Sequence, residues 1–421
     1  MFIFYDIIFL FISIFFLPVY LFRRKFHAGF LARLGFLPKE AQFSRPIWIH
    51  AVSVGEVNAL GALIEELRKA YPSKRIVIST VTPTGNKIAK AAAKDKDFVT
   101  YLPIDLSFTV RSVIDRINPC LFIIAETEIW PNLITYLCRK KISVIMVNGR
   151  ISDRSFKGYR ALKFLLKPIL EKVSLFCMQT PLDAERLKRL GVAQDKIQVT
   201  GNMKFDSKID LEKSGESDYR MKLGLKGQDK LWVAGSTHPG EEEIILGAYR
   251  RLLREFPQLK LLIAPRHTQR SGDVAKIVSM FGFRSLFLSQ EPCECHSCAA
   301  TAVFILDKLG ELTSFYAVAD IVFVGGSLIK KGGHNILEPA FLRKPVLFGP
   351  HMFNFRDIAD LFLTHQAAIM ASDAEELRMN IARLLKDPAL AVKMSQQAQG
   401  IITQNQGATV RNLEFIKKLL S

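Results

Sequence analysis

Cysteine is scarce in this chain, with six in 421 residues. Cys293, Cys295 and Cys298 are crowded into one short segment, which does not resemble the dispersed framework of a disulfide-stapled secreted protein and favours a reducing compartment. His296 adds a fourth metal-type donor to this segment, but donors this close along a chain can hardly surround one ion tetrahedrally. We therefore expect a reduced loop without metal, with a structural or redox role as the alternative.

Acidic residues are also fewer than basic ones. The chain has 40 Asp and Glu against 58 Lys and Arg, which gives a net charge of +18. This excess favours an acidic partner, which charge alone leaves open among nucleic acid, an anionic membrane surface and a phosphorylated substrate. No G-x-G-x-x-G motif opens a domain and no G-x-x-x-x-G-K-[ST] motif occurs. A dinucleotide oxidoreductase and a P-loop ATPase are therefore both disfavoured.

One long hydrophobic run is present, from Phe2 to Phe22, and it ends at the basic residues Arg23, Arg24 and Lys25. Its length suits a bilayer span or an embedded helix, and a cleaved signal peptide would carry its basic residues before the apolar stretch. The basic flank places the rest of the chain in the cytoplasm by the positive-inside rule. We predict a retained anchor helix over residues 1–22, single-pass or monotopic, with a buried core helix as the alternative.

Short apolar segments, each separated by a stretch of helical length, recur in two runs along the rest of the chain. This pattern predicts two α/β domains, each a doubly wound parallel sheet with helices on both faces. We expect an N-terminal Rossmann-like domain over residues 23–203, a polar linker over 204–228 and a second Rossmann-like domain over 229–395. The last segment, residues 396–421, is predicted to be a helix that packs back on the first domain.

The two runs resemble each other. The segment from Pro46 can be aligned with the segment from Lys230, so that Trp48 falls on Trp232 and Pro72 on Pro257. Both read as strand, glycine-containing turn, helix with an acidic start, and second strand. The similarity indicates one half-fold used twice, although unrelated strand-helix-strand units also look alike.

Glu56 follows the first strand of the first run and begins an amphipathic helix. In parallel α/β folds this edge of the sheet carries ligands. The helix N-terminus favours the ionised carboxylate, so Glu56 is a candidate proton acceptor, although a weak base. A capping role alone is the alternative. Glu126, Glu128 and Trp130 follow the fourth strand, where carboxylates and an aromatic ring suit a sugar or hydroxyl acceptor or, alternatively, cap the helix at Pro131.

In the second run, Arg266 ends a strand and is suited to holding a phosphate. Glycine-rich turns at 325–327 and 332–333 are predicted to leave backbone N–H groups free for an anion. Glu338, which follows them, is expected to accept ribose hydroxyls. A D-x-D pattern, which in some enzymes holds a divalent ion, occurs at 95–97, in a lysine-rich stretch that reads as solvated charge.

Nine motifs, in the same order, resemble those of the Kdo transferases of lipid A biosynthesis. They are HAVSVGE (50–56), TPTG (82–85), ETEIWPN (126–132), NGRISDRS (148–155), TGNMKFD (200–206), PRH (265–267), LGEL (309–312), GGS (325–327) and GGHNILEP (332–339). Two departures, Gly149 where alanine is usual and Leu309 where methionine is common, remove no side chain that the chemistry needs.

The resemblance implies a GT-B glycosyltransferase on the cytoplasmic face of the bacterial inner membrane. It would move 3-deoxy-D-manno-oct-2-ulosonic acid (Kdo) from CMP-Kdo to a phosphorylated lipid A precursor, lipid IVA, with inversion and without metal or cofactor. Glu56 corresponds to the general base, and Ser53, Gly55, Glu128 and Arg150 to acceptor or transition-state contacts. The CMP-binding segments correspond to Pro265, Arg266, Leu309, Gly310, Glu311, Asn335, Ile336, Leu337 and Glu338.

Two other functions remain open at this point. One is a different enzyme of the same fold, acting on a UDP-sugar as a transferase or an epimerase. The other is a non-catalytic, membrane-tethered nucleotide-binding protein. A membrane anchor and a phosphorylated lipid acceptor would both bring anionic groups to the positively charged chain. Nucleic acid therefore becomes the least favoured of the three acidic partners.

Overall fold

A computed structural model describes residues 5–11, 29–38, 43–207, 216–290 and 302–420 of the chain. Most of the predicted anchor and its basic flank therefore lie outside the described residues, although residues 5–11 are helical (α1). No helix within these ranges is long and apolar enough to cross a bilayer. The cysteine-rich segment with Cys293, Cys295, His296 and Cys298 also lies outside them. The described part contains no group of three or more His, Cys, Asp or Glu side chains that could hold a metal ion.

The chain divides into two compact units, residues 1–208 with 405–421, and residues 209–404. The strands of unit 1 are β1 (Ile47–His50), β2 (Ile76–Thr80), β3 (Phe98–Tyr101), β4 (Leu121–Ala125), β5 (Ser143–Gly149), β6 (Leu175–Met178) and β7 (Ile197–Val199). They form a parallel sheet in the order β3-β2-β1-β4-β5-β6-β7. The predicted doubly wound sheet is thereby confirmed.

Helices cover both faces of this sheet. They are α2 (Phe30–Arg33), α3 (Val54–Ala70), α4 (Pro83–Ala92), α5 (Ser107–Ile117), α6 (Pro131–Arg139), α7 (Asp153–Ala161), α8 (Lys163–Leu170), α9 (Pro181–Leu190) and α18 (Ala408–Leu420), with 3-10 turns at Gln194–Lys196 and Met203–Asp206. The apolar face predicted for α3 is buried in one core, which it shares with α18. Helices α5, α6, α8 and α9 bury their apolar faces in a second core.

Unit 2 has a second parallel sheet of seven strands. They are β8 (Lys230–Thr237), β9 (Leu259–Pro265), β10 (Arg284–Phe287), β11 (Ala302–Ile305), β12 (Ile321–Val324), β13 (Val346–Phe348) and β14 (Ile369–Met370). Their order is β10-β11-β9-β8-β12-β13-β14. The helices are α10 (Glu216–Lys222), α11 (Glu241–Leu252), α12 (Ser271–Met280), α13 (Leu312–Val318), α14 (Leu337–Phe341), α15 (Arg356–Thr364), α16 (Ala374–Lys386) and α17 (Pro388–Asn405), with a 3-10 turn at Thr268–Arg270.

Each sheet has one point where the strand order reverses. Strand β1 lies between β2 and β4, and β8 lies between β9 and β12. At such a point neighbouring loops leave in opposite directions and open a crevice at the carboxyl edge of the sheet. In unit 1 the loops after β1 and β4, which carry Glu56 and Glu128, meet there.

Two sequence predictions differ from the observed elements. Strand β7 was not predicted, because Ile197–Val199 offers only two apolar residues at the edge of the sheet. The predicted helix over 396–421 is two helices, α17 and α18, because the chain turns at Gly407, whose φ is +92°. Helix α17 belongs mostly to unit 2 and α18 to unit 1.

Candidate functional site

The loop between β1 and α3 holds the carboxylate of Glu56. One oxygen, Oε2, accepts the N–H of Val52 at 2.7 Å, and Oε1 accepts the hydroxyl of Ser53 at 2.9 Å. Ser53 is the N-cap of α3, yet its hydroxyl donates to Glu56 and caps no backbone N–H. A Cβ built on Gly55 would meet only this hydroxyl, at 3.9 Å, so the site beside it is open. The loop therefore orients the carboxylate and leaves one side accessible.

The TPTG motif supports this loop from the neighbouring strand. The hydroxyl of Thr82 donates to the carbonyl of Val52 at 3.2 Å. A Cβ on Gly85 would come within 3.3 Å of the backbone of Val52 and Ser53, so a glycine allows helix α4 to pack against the loop. These contacts explain the motif as a support for Glu56 rather than as a ligand contact.

The loop after β4 brings further carboxylates to the same crevice. Glu126 adopts a left-handed backbone conformation, with φ +54°, and its carboxylate lies 3.6 Å from the ammonium of Lys204. The side chain of Asn148 accepts the N–H of Met203 at 2.9 Å and so fixes the turn that carries Lys204. Lys204 was overlooked as a site residue, although it lies within the TGNMKFD motif.

Glu56, Glu126 and Glu128 influence one another electrostatically. Burial, followed by the negative charge of Glu126, raises the pKa of Glu56, while its two hydrogen bonds and Lys204 oppose the rise. Burial, followed by the charges of Glu56 and Glu126, raises the pKa of Glu128 to about 7. Burial and like charge thus oppose the field of the helix N-terminus, which by itself favours the ionised carboxylate of Glu56.

Arg150 lies at the exit of the adjacent strand β5. Its backbone N–H donates to the hydroxyl of Thr127 at 3.2 Å, and that hydroxyl in turn donates to the Arg150 carbonyl. The loops after β4 and β5 are thereby joined. The four predicted acceptor-side residues thus all lie at the carboxyl edge of the first sheet, with Ser53, Glu128 and Arg150 in loops and Gly55 in the first turn of α3.

The residues predicted to bind CMP lie at the carboxyl edge of the second sheet. Pro265 ends β9 and is buried, and Arg266 is exposed, with its N–H donating to the Thr237 carbonyl at 2.9 Å. Burial raises the pKa of Glu338, while the side chain of Asn335, which donates to it at 3.2 Å, and the charge of Arg266 oppose the rise. Arg266 and the start of α14 are therefore neighbours.

The other residues predicted to bind CMP differ in their exposure and in their contacts. Ile336 and Leu337 are buried and anchor the start of α14. Leu309 is 74% exposed and Gly310 has φ +89°, so this part of the loop before α13 faces solvent. Glu311 forms an ion pair with Lys222 at 3.0 Å, so its carboxylate already has a partner.

The glycine-rich turn after β12 is not the free anion site that its sequence predicts. The N–H groups of Gly326, Ser327 and Leu328 donate to the carboxylate of Glu241 at 2.7, 3.0 and 2.9 Å, and the N–H of His238 donates to it at 2.9 Å. Glu241 is fully buried. A carboxylate of the chain itself therefore occupies the turn.

The second pair of glycines, Gly332 and Gly333, is explained by close packing. Both have positive φ, +99° and +71°, and a Cβ would overlap Asn354 at Gly332 and Met352 at Gly333. The first N–H of α14, that of Leu337, donates to the side chain of Asn335 at 3.1 Å. The prediction of open N–H groups is therefore wrong for the turn after β12 and does not explain Gly332 or Gly333.

Comparison with known proteins agrees with these observations. Residues 28–207 match the family described as 3-deoxy-D-manno-octulosonic-acid transferase (kdotransferase). A 3-deoxy-D-manno-octulosonic acid transferase of Haemophilus influenzae is 37% identical over 375 residues, which cover 89% of this chain and 87% of the relative.

Solved structures show the same two-unit fold at low identity. A glycosyltransferase of Rickettsia africae has a TM-score of 0.58 at 15% identity, covering 90% of this chain and 100% of that one. A UDP-GlcNAc 2-epimerase of Neisseria meningitidis has a TM-score of 0.54 at 14% identity, covering 89% and 100%. These two structures define the fold and not the reaction. On the identity and coverage of its curated relative, the chain belongs to the 3-deoxy-D-manno-octulosonic acid transferase family and is a glycosyltransferase.

Proposed function

We propose that the protein transfers Kdo from CMP-Kdo to a hydroxyl of a phosphorylated lipid A precursor, lipid IVA, with inversion. The observation that carries the proposal is the Glu56 carboxylate, held by Val52 and Ser53 at the crevice of unit 1 and raised in pKa by burial and by Glu126. An oriented carboxylate of raised pKa is the proton acceptor that a hydroxyl nucleophile needs.

A sugar hydroxyl is far too weakly acidic to ionise before it reacts. Glu56 takes its proton as the hydroxyl oxygen forms a bond to the anomeric carbon of Kdo, and the bond from that carbon to the phosphate oxygen breaks on the opposite face. The electron pair stays on the phosphate of the departing CMP. To Arg266 we assign the stabilisation of this charge, without a divalent ion. In line with that role, Asp97 of the D-x-D pattern is paired with Arg68.

The pH dependence of turnover is expected to follow the charges around Glu56. The base must be ionised, so the rate rises as pH increases through the pKa of Glu56. Glu126→Gln removes a like charge and should move this rise to lower pH, whereas Lys204→Met removes an opposing charge and should move it to higher pH. Profiles of kcat/KM between about pH 5 and pH 9 measure both shifts. Shifts of the same sign in both variants would contradict the electrostatic account.

We also propose that unit 1 rests on the anionic cytoplasmic surface of the inner membrane. At the start of α8, Phe164 is 74% exposed, and Leu162 and Leu165 are each 50% exposed. Arg160, Lys163 and Lys167 surround them. Exposed apolar side chains flanked by basic ones are typical of a membrane-surface contact.

Helix α1 supports the same arrangement. Its Asp6 carboxylate accepts the N–H of Ser107 at 3.1 Å and the side-chain amide of Asn132 at 2.7 Å. The start of the predicted anchor is therefore fastened to the first turns of α5 and α6. Phe11 of α1 and Phe108 of α5 are 74% and 62% exposed. They add apolar surface to unit 1.

The double substitution Phe164→Ser and Leu165→Ser should weaken binding to vesicles that contain anionic lipid by about tenfold or more, because each apolar side chain contributes about 1.5–3 kcal/mol when fully buried. Sedimentation with vesicles measures the change, and added salt should weaken wild-type binding further. Val410→Ser is the matched control, since Val410 is 56% exposed on α18, which packs on the other face of the sheet. Equal losses in the control and the double variant would contradict the proposed contact.

A panel of labelled donors tests the proposed reaction. The full-length protein in detergent, supplied with lipid IVA, should release CMP from CMP-Kdo and leave UDP-sugars and other CMP-sugars unchanged. Consumption of UDP-GlcNAc without an acceptor would instead identify an epimerase of the same fold. A protein that binds nucleotide but consumes no donor would be a non-catalytic member of the family.

A further inference from the structure

Three imidazole rings meet at the carboxyl edge of the second sheet. His238 follows β8, His267 follows Arg266 after β9, and His334 lies just before α14. The Nε2 atoms of His238 and His334 are 2.9 Å apart, and the two rings are parallel within 3°, with centroids 5.2 Å apart. The ring of His267 stands at 88° to that of His238, with a centroid distance of 6.1 Å.

A contact between two Nε2 atoms constrains the protons on both rings. One nitrogen must donate and the other must accept, so the accepting imidazole is neutral. The donating ring can gain a proton at its Nδ1 atom without losing the contact. A second proton, on the accepting Nε2, would break it. The pair formed by His238 and His334 can therefore store one proton.

The surroundings of this pair keep it uncharged in the unliganded protein. Burial, and then the charge of Arg266, lowers the pKa of His334 to about 4. The pKa of His238 is lowered first by burial and then by electrostatic interactions with His267, Lys331, Arg270 and Arg266.

The nearby carboxylates neutralise only part of this positive charge. Glu241 is buried and accepts four backbone N–H groups. Glu242 is also buried, and it pairs with Arg270 at 2.9 Å. Burial raises the pKa of Glu338, the carboxyl group that interacts with Arg266. Among the described residues, Arg266 and Lys331 form no ion pair within 4 Å. Two cations without an ion-pair partner in the described part of the chain, Arg266 and Lys331, therefore lie near a pair of rings that can accept a proton.

Gly326 makes the arrangement of the rings possible. A Cβ at this position, which has φ +68°, would lie 3.0 Å from the ring of His334 and 3.4 Å from that of His238. Both rings thus pack against the turn that Glu241 holds. The site is built from three separated parts of the chain.

We propose that His238, His334 and Arg266 form an anion site that binds the doubly charged phosphate of a nucleoside monophosphate and takes up one proton on the histidine pair. The identity of that nucleotide as CMP rests on the proposed function. The donor phosphate is a diester with one negative charge, and the product phosphate is a monoester with two. As the bond from the sugar to the phosphate oxygen breaks, its electron pair adds the second charge. A proton that enters the pair from solvent compensates for it, whereas the hydroxyl proton of the acceptor goes to Glu56.

Calorimetric titration with CMP, UMP and cytidine tests this site. Measurements above about pH 7 keep the free phosphate dianionic, because its second pKa is near 6. In buffers of different ionisation enthalpy, wild-type protein should take up a proton with CMP and none with cytidine. The Kd for CMP should then rise with pH, approaching about tenfold per pH unit when one full proton is taken up.

Replacing either His334 or His238 should abolish the coupling between CMP binding and proton uptake. His334→Gln is expected to weaken CMP binding by about tenfold at pH 7, to remove the pH slope and to leave cytidine unaffected. His238→Asn should behave in the same way and replaces the first variant if that one does not fold. His365→Gln, at an exposed position after α15, is the matched control and should keep the slope.

Binding of CMP to wild-type protein without proton uptake would overturn the proposal, as would proton uptake that persists in the His334 and His238 variants. If UMP binds with proton uptake that the variants lose, and CMP does not bind, the anion site stands and the proposed donor is wrong. The wild-type proton count is decisive even if neither variant folds.

Discussion

Glu56→Gln is expected to lower kcat by about 10²–10⁴-fold, the range that a positioned general base contributes. Glutamine fills the same space but accepts no proton from the hydroxyl. The Kd for CMP should stay within about twofold, because Glu56 belongs to unit 1 and the predicted CMP-binding residues belong to unit 2. Turnover of labelled CMP-Kdo and calorimetric CMP binding, measured on the same preparation, separate the two effects.

A control for this variant is available on the same helix. Glu65→Gln removes a carboxylate of α3 that is 46% exposed and that forms ion pairs with Arg68 and Lys94, away from the loops that carry Glu126 and Glu128. Its kcat should remain near that of wild type. Near-normal turnover in Glu56→Gln would remove Glu56 from the role of base. Equal losses in both variants would point to a general disturbance of the helix.

Glu241→Ala is expected to destabilise unit 2 by about 3–5 kcal/mol, the largest stability effect that we predict. The substitution leaves four backbone N–H groups without their acceptor: those of Gly326, Ser327 and Leu328, which are buried, and that of His238, which is partly buried. Hydrogen bonds to a charged group are the costly ones to lose. Urea unfolding followed by tryptophan fluorescence measures the loss, since Trp232 lies in the core of unit 2.

The neighbouring residue Glu243 provides the control for this prediction. It lies in the same first turn of α11 but is exposed, so Glu243→Ala should change the free energy of unfolding by less than about 0.5 kcal/mol. Glu241→Gln, which keeps one carboxamide oxygen, should fall between the two. Wild-type stability in Glu241→Ala would show that water replaces the carboxylate in the turn.

Glu56 and Glu241 occupy corresponding positions in the two similar halves. Unit 2 contains one extra residue near the end of β8, where the register with β9 shifts between Gly235 and Thr237 and Ser236 has φ +58°. With that residue allowed for, the alignment that places Pro72 on Pro257 also places Glu56 on Glu241. The carboxylate of Glu56 lies in an open crevice beside Glu126. The carboxylate of Glu241 is buried and accepts the N–H groups of the turn at residues 326–328. Under the proposed mechanism, this position serves as the base in unit 1, whereas in unit 2 it holds a backbone turn.

The sequence predicts the strands well, because a parallel sheet covered on both faces needs apolar segments at regular intervals. All strands other than β7 coincide with predicted segments. The placement of Glu56 at the carboxyl edge of the first sheet also follows from the strand and helix pattern. Its proton affinity does not, since Glu126 and Lys204, which adjust it, are distant in sequence. The hydrogen bonds from the glycine-rich turn to Glu241 could not be predicted either, because Glu241 lies 85 residues before Gly326.

The most direct test of the central claim is the mass of the acceptor after incubation of the pure, full-length protein with CMP-Kdo and lipid IVA. We predict that lipid IVA gains the mass of one or more Kdo residues, that one CMP is released for each residue added, and that Glu56→Gln abolishes the gain. An acceptor of unchanged mass, with CMP-Kdo left intact by protein that binds CMP normally, would contradict the account.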